Sequence, residues 1–163
     1  MRSVELAQLN IARALAPLDD ALMDGFVERL AEINGLAEHS HGFVWRLTDT
    51  LGADATGVRA YDDPLIIVNL TVWTGIDELH EFAYKSAHVE MLRSRRDWFV
   101  PFEGPSLALW WVPVGVRPTI QDAVARLEHL AEHGPTAHAF TLKARFGPDW
   151  KEIDRGQAVG AGA

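Results

Sequence analysis

The stretch IIVNLTVWTGIDELHEFAYKSAHVEMLRSRRDWF, residues 66–99, constrains the fold more than any other part of the chain. Its first eight residues alternate. Ile66, Val68, Leu70 and Val72 share one face, and Ile67, Asn69, Thr71 and Trp73 share the other. The first face is aliphatic and is expected to pack on helices. The second mixes amide, hydroxyl and indole, as pocket walls do. Thr74-Gly75 turns the chain, and apolar residues then recur at helical spacing through Phe99. A buried strand running straight into an amphipathic helix requires other elements to cover both.

Those elements can be read in order. Residues 4–13 form a first strand, with Leu9 and Ile11 on one face and Gln8 and Asn10 on the other. Pro17-Leu18-Asp19-Asp20 opens a helix whose apolar stripe runs from Leu22 to Ala37. Residues 43–47, FVWRL, form a second strand. Residues 48–64 have loop chemistry, with a short strand expected over 58–61. The helical region 76–99 is long enough to bend, and Ser86 is placed to cap a second helix after a break at Lys85. Residues 107–114, LALWWVPV, form a fourth strand whose adjacent tryptophans must face opposite ways. Thr119 with Asp122 opens a last helix that Gly134-Pro135 closes. Residues 140–146 alternate as an edge strand, and the tail from Gly156 has nothing to pack. We therefore expect one domain over 1–155 and a disordered tail over 156–163.

Composition narrows the function. The formal net charge is -8, which argues against nucleic acid, since phosphate contacts need surplus Lys and Arg. No apolar run approaches the ~20 residues that span a bilayer. The first residues lack the apolar core of a signal peptide, so a cytoplasmic protein is expected. There is no cysteine, hence neither disulfide nor thiolate metal site. Gly-rich phosphate loops and nucleophile elbows are absent. His129-Leu130-Ala131-Glu132-His133 fits H-x-x-E-H, but it closes its helix instead of lying within it, and a polar helix end is the expectation. His39 and His41 lack a third ligand nearby in sequence, so no metal site is expected.

What remains is a constellation. Asn10, Asn69, Trp73, Tyr84, His88 and Trp110 can line one cavity if the strand faces are as read. Trp45 joins them as a further aromatic wall, and Arg95 shares the stripe of His88. A helical imidazole can act as a base, while amides hold an oxyanion and rings exclude water. The plainer account of His88 is a half-buried helix histidine bonded to a backbone carbonyl.

The segments LAQLNIARAL, GFVWRL, NLTVWTGIDELHEFAYKSAHVEMLRSRRDWF and LALWWVPVGVRPTIQDAVARLEHLAEHGPTAHAFT resemble the DUF3291 family, within the dimeric α/β-barrel superfamily of antibiotic-biosynthesis-monooxygenase-like proteins. The resemblance covers about residues 3–146. It implies an α+β fold: a ferredoxin-like antiparallel sheet with helices on one face, in a dimeric α/β barrel. The C-terminal helix and short edge strand come in addition. It also implies a homodimer whose sheets meet face to face, with a largely apolar small-molecule pocket in each subunit. The superfamily suggests a cofactor-independent, monooxygenase-like enzyme for an aromatic or polyketide-like substrate, with His88, Asn10 and Trp73 catalytic and Asn69, Tyr84, Trp45, Trp110 and Arg95 binding substrate. Its heme-degrading branch suggests an alternative cofactor, heme, with His88 or His80 as iron ligand. A noncatalytic binding or structural dimer is the third expectation.

Overall fold

The first strand is buried along nearly its whole length because it has neighbours on both edges. In the computed structural model, which describes residues 3–49, 55–84 and 86–153, β1 (Val4–Ala14) lies at the centre of a five-stranded antiparallel sheet. One edge pairs with β3 (Ile66–Trp73), in the register Leu6 to Trp73 through Arg13 to Ile66. The other edge is shared: β5 (Leu107–Pro113) takes residues 4–10, and the two-residue β4 (Phe99–Val100) takes Arg13 and Ala14. β2 (Phe43–Arg46) completes the sheet outside β3.

The helices follow from the apolar stripes. A 3-10 turn at Ala21–Met23, capped by the Asp20 carboxylate accepting from the Leu22 amide at 2.9 Å, leads into α1 (Asp24–Glu38). The helical region after β3 is three pieces: α2 (Ile76–Ala83), α3 (Ser86–Arg93) and α4 (Arg95–Trp98). The expected break at Lys85 lies outside the described residues, but α3 does begin at Ser86. α5 (Ile120–His133) starts at Thr119, whose hydroxyl accepts from the Asp122 amide at 3.1 Å, and stops at Gly134 with φ +72°.

The two faces of the sheet are packed differently. Ala7, Leu9 and Ile11 join Val68, Leu70 and Val72 and Ala108, Trp110 and Val112 in an aliphatic layer. α5 lies on this layer through Ala123, Leu127 and Leu130, and Val58, Ala60 and Tyr61 extend the cover. All nine sheet residues are buried within the single chain. The opposite face carries Leu6, Trp73, Leu109 and Trp111 at one end, under Ala37 of α1, α2 and Phe140. At its other end Ala14, Met23, Phe26 and Trp98 form a smaller cluster.

Two expectations about local structure are corrected, and one element went unread. Residues 58–61 form no strand. They are a bent segment whose side chains cap the aliphatic layer. Residues 140–146 are not an edge strand either: Phe140 bridges only to Leu109, and Phe146 only to Glu152. Alternation here reflects burial of Phe140 and Phe146 against Trp111, with the backbone bent between them. The two-residue β4 had no pattern long enough to register.

Candidate functional site

Between the two clusters on the amide-bearing face the packing opens. A cavity of about 470 Å³ lies where α1, the α3–α4 junction and the ends of β1 and β3 meet the segment after β4. That volume falls in the range of small-molecule sites, roughly 300–1,000 Å³. Phe26, Leu30 and Ile33 of α1, Met91 of α3, and Phe99 and Phe102 supply apolar wall. The polar groups are Asn10, Asn34, Asn69, Thr56, Ser106, Arg46, Arg95 and Arg96.

The strand faces explain this set. Asn10 and Asn69 are direct cross-strand partners, so their side chains leave the sheet side by side. One step along the same face, Gln8 and Thr71 are partners too. The Thr71 hydroxyl donates to Gln8 Oε1 at 2.7 Å and accepts from Trp73 Nε1 at 2.9 Å. Buried polar atoms there satisfy one another, which is what burial demands. Asn10, Asn34 and Asn69, in contrast, make no side-chain hydrogen bond among the described residues and face the cavity free to bond a ligand.

Arg46 reaches the cavity because β2 is irregular. Phe43 opposes Trp73, yet Trp45 opposes Val72 and Arg46 opposes Thr71, with a bulge between Phe43 and Trp45. An extra residue in one strand exchanges the faces of everything beyond it. Trp45 is thereby turned onto the aliphatic layer, and Arg46 onto the amide face. Arg46 Nε donates to Glu38 Oε1 of α1 at 2.6 Å, and the side chain is only 15% exposed. Its Nη1 is buried and has no partner among the described residues. A buried donor left without an acceptor costs about 1–3 kcal/mol, and more when it is charged. Among the described residues lining the cavity there are three arginines and no carboxylate or imidazole.

The remaining expected site residues are distributed as follows. Asn10, Asn69 and Arg95 line the cavity. Trp73 is on the amide face but does not reach it. It is 1% exposed, stacked on Phe82 at 5.2 Å and edge-on to Phe43 at 5.5 Å, which makes it core. Trp110 lies on the opposite face beneath the Arg126 guanidinium, 5.9 Å from the ring centre. Trp45 packs on that same layer. Tyr84 follows α2 at the surface, 66% exposed, its ring 4.4 Å from that of His80; neither lines the cavity. The side chain of His88 lies outside the described residues. Its position on α3 is one turn before Met91, which does line the cavity.

Elsewhere, the rings of His133 and His138 stand 4.4 and 4.5 Å from that of His129. Among the described residues no group of three or more His, Asp or Glu is arranged to hold a metal. No described helix is long and apolar enough to cross a membrane.

Comparison with known proteins matches a family across most of the chain. The sequence profile described as Domain of unknown function (DUF3291) matches residues 5–155. No curated protein matches the sequence. Among solved structures, the PA3566 protein of Pseudomonas aeruginosa is similar at 11% identity and a TM-score of 0.47, over 73% of this chain and 99% of its own. A protein of unknown function from Nitrosomonas europaea is similar at 11% identity and 0.45, over 73% and 97%. SnoaB, a cofactor-independent oxygenase from Streptomyces nogalater, is similar at 16% identity and 0.43, over 71% and 95%.

Proposed function

We propose that this chain, which belongs to the DUF3291 family, is a small-molecule-binding protein whose ligand site is the cavity beside Asn10 and Asn69. The observation that carries this reading is the pairing of two unbonded amides across β1 and β3, facing a cavity with an apolar wall on one side. Polar groups set beside an apolar wall suit an aromatic or polyketide-like molecule that carries oxygens. Native mass spectrometry of freshly purified protein tests it. A co-purifying mass that is lost when Leu30→Trp fills the cavity supports the reading; retention of that mass in the filled variant refutes it.

A cofactor-independent, monooxygenase-like activity is the catalytic form of the same proposal. The ligand's own carbanion would react with oxygen, and the paired amides would hold the oxyanion that develops. His88 is the proposed base, supported by its position one turn from Met91. Oxygen uptake with an anthrone-type carbon acid should fall in His88→Ala, and unchanged uptake removes His88 from the chemistry. The heme alternative has weaker support. His80 is not a cavity residue, and the described lining contains no ring nitrogen or thiolate of the kind that ligates iron. It leaves His88 as the ligand to test, by a Soret shift on hemin addition that His88→Ala abolishes.

Homodimerisation stays a proposal as well, by way of a surface other than the aliphatic sheet face, which α5 buries. Light scattering distinguishes 18.1 kDa from twice that mass.

A further inference from the structure

We propose that the cavity selects a ligand carrying a carboxylate, and that Arg46 receives it. This rests on the reading of the cavity as a ligand site and goes beyond it by naming the group recognised. The sheet bulge aims Arg46 at the cavity, and Glu38 holds its guanidinium by Nε at 2.6 Å. A guanidinium tethered on one edge presents its other edge in a fixed direction, so little is lost when an acceptor arrives. That other edge includes Nη1, buried and donating to none of the described residues.

The surroundings favour an anion with several acceptor sites. A carboxylate offers about four lone pairs on two oxygens. Arg46 Nη1 satisfies one, and the amides of Asn10, Asn34 and Asn69 line the same cavity with donors to spare. Arg95 and Arg96 are exposed where they border the cavity, and none of the described lining residues is acidic. In a chain of formal charge -8 this local excess of cations runs against the average and draws an anion inward. Phe26, Leu30, Ile33, Phe99 and Phe102 take the apolar body of the molecule. A phosphate dianion fits less well, because Glu38 already balances part of the charge on Arg46 and only one of its nitrogens is buried without a partner.

The test uses matched pairs of probes: benzoate, salicylate and 2-naphthoate, each against its primary amide, with phenyl phosphate as a further arm. Binding is followed by ligand-observed NMR and calorimetry. The acids should bind about tenfold or more tightly than their amides, as a hydrogen bond from a charged donor predicts, and better than phenyl phosphate. Arg46→Gln should erase the difference by lowering affinity for the acids to that for the amides. Glu38→Gln, which keeps an amide oxygen to accept from Nε but removes the competing negative charge, should raise affinity for the acids, whereas a merely structural Arg46–Glu38 link predicts a fall. Equal binding of acids and amides, tighter binding of phenyl phosphate, or a preference that survives Arg46→Gln overturns the carboxylate assignment and leaves the cavity reading standing. Binding of acids and amides that persists unchanged in Leu30→Trp overturns both. If Arg46→Gln does not fold, Glu38→Gln decides alone: a rise supports the assignment and a fall removes it.

Discussion

The two faces of one sheet have become different kinds of surface. On the α5 side, nine strand residues and three helix residues interlock as an apolar layer. On the α1 side, two apolar clusters leave a gap between them, and amides and a guanidinium face into it. The two faces differ in side chains, aliphatic on one and amide-bearing on the other, and they differ in cover. α5 packs on β5 and β1, and Val58, Ala60 and Tyr61 extend its cover, whereas on the other face α2 and Phe140 cover one end, and Met23, Phe26 and Trp98 the other. A face with continuous cover becomes core; one covered at its ends keeps a cavity.

That contrast can be broken or sharpened by substitution. The largest effect is expected from Leu127→Ala in α5, which removes a buried side chain from the dry layer. It should lower unfolding free energy by about 2–5 kcal/mol in chemical denaturation, while leaving ligand or probe binding in the cavity intact. A loss below 1 kcal/mol would mean the α5 face is not the packed one. Thr119→Ala removes the cap that starts α5 and should cost about 1 kcal/mol by the same measurement. Asn10→Leu should do the reverse of Leu127→Ala. No protein hydrogen bond is lost, so stability should change by less than about 0.5 kcal/mol, and binding in the cavity should fall. A large destabilisation would show that Asn10 serves the fold.

The smallest effect concerns pH. Arg126 Nη1 donates to the His138 carbonyl at 2.8 Å and lies 3.0 Å from His138 Nδ1, fastening the chain after α5 above Trp110. Desolvation, then the charge of Arg126 and then His129, lowers the His138 pKa below its ordinary 6.5. The unfolded chain therefore binds this proton more readily. The contribution of neutral His138 is complete above pH 6.5 and is lost as pH falls through that value towards the lower folded pKa. Melting temperature measured across this window should decline less in His138→Gln than in the wild type. The cavity face has no such dependence among its described lining residues, since none is an acid or an imidazole.

Much of the fold was legible in the residues. Alternation placed Gln8 and Asn10 opposite Leu9 and Ile11 and set Trp110 against Trp111, and the structure has these pairs on opposite faces. The α5 cap and its glycine stop were readable because capping is local. The amide pair was readable too, since both asparagines lie on regular strands. Arg46 was missed for a definite reason. Periodicity assumes an unbroken strand, and one bulged residue reverses the assignment of Trp45 and Arg46. A charged residue in a four-residue strand next to an aromatic was the signal that pointed there. Trp73 was assigned to the correct face and the wrong role: it sits two pairs along from Asn69, under Phe43 and Phe82, where the face has already closed.

The residues by themselves determined the strands, the helices and the side of the sheet to which most side chains point, because those depend on neighbours two to four positions away. Tertiary structure decided which side-chain groups share a hollow. It set where α1 and α5 cross the sheet, turned Arg46 inward at the bulge, and left the asparagines uncovered while closing the core over Trp73. Those outcomes depend on residues such as Glu38 and Arg46, or Phe82 and Trp73, that meet only once the chain has folded.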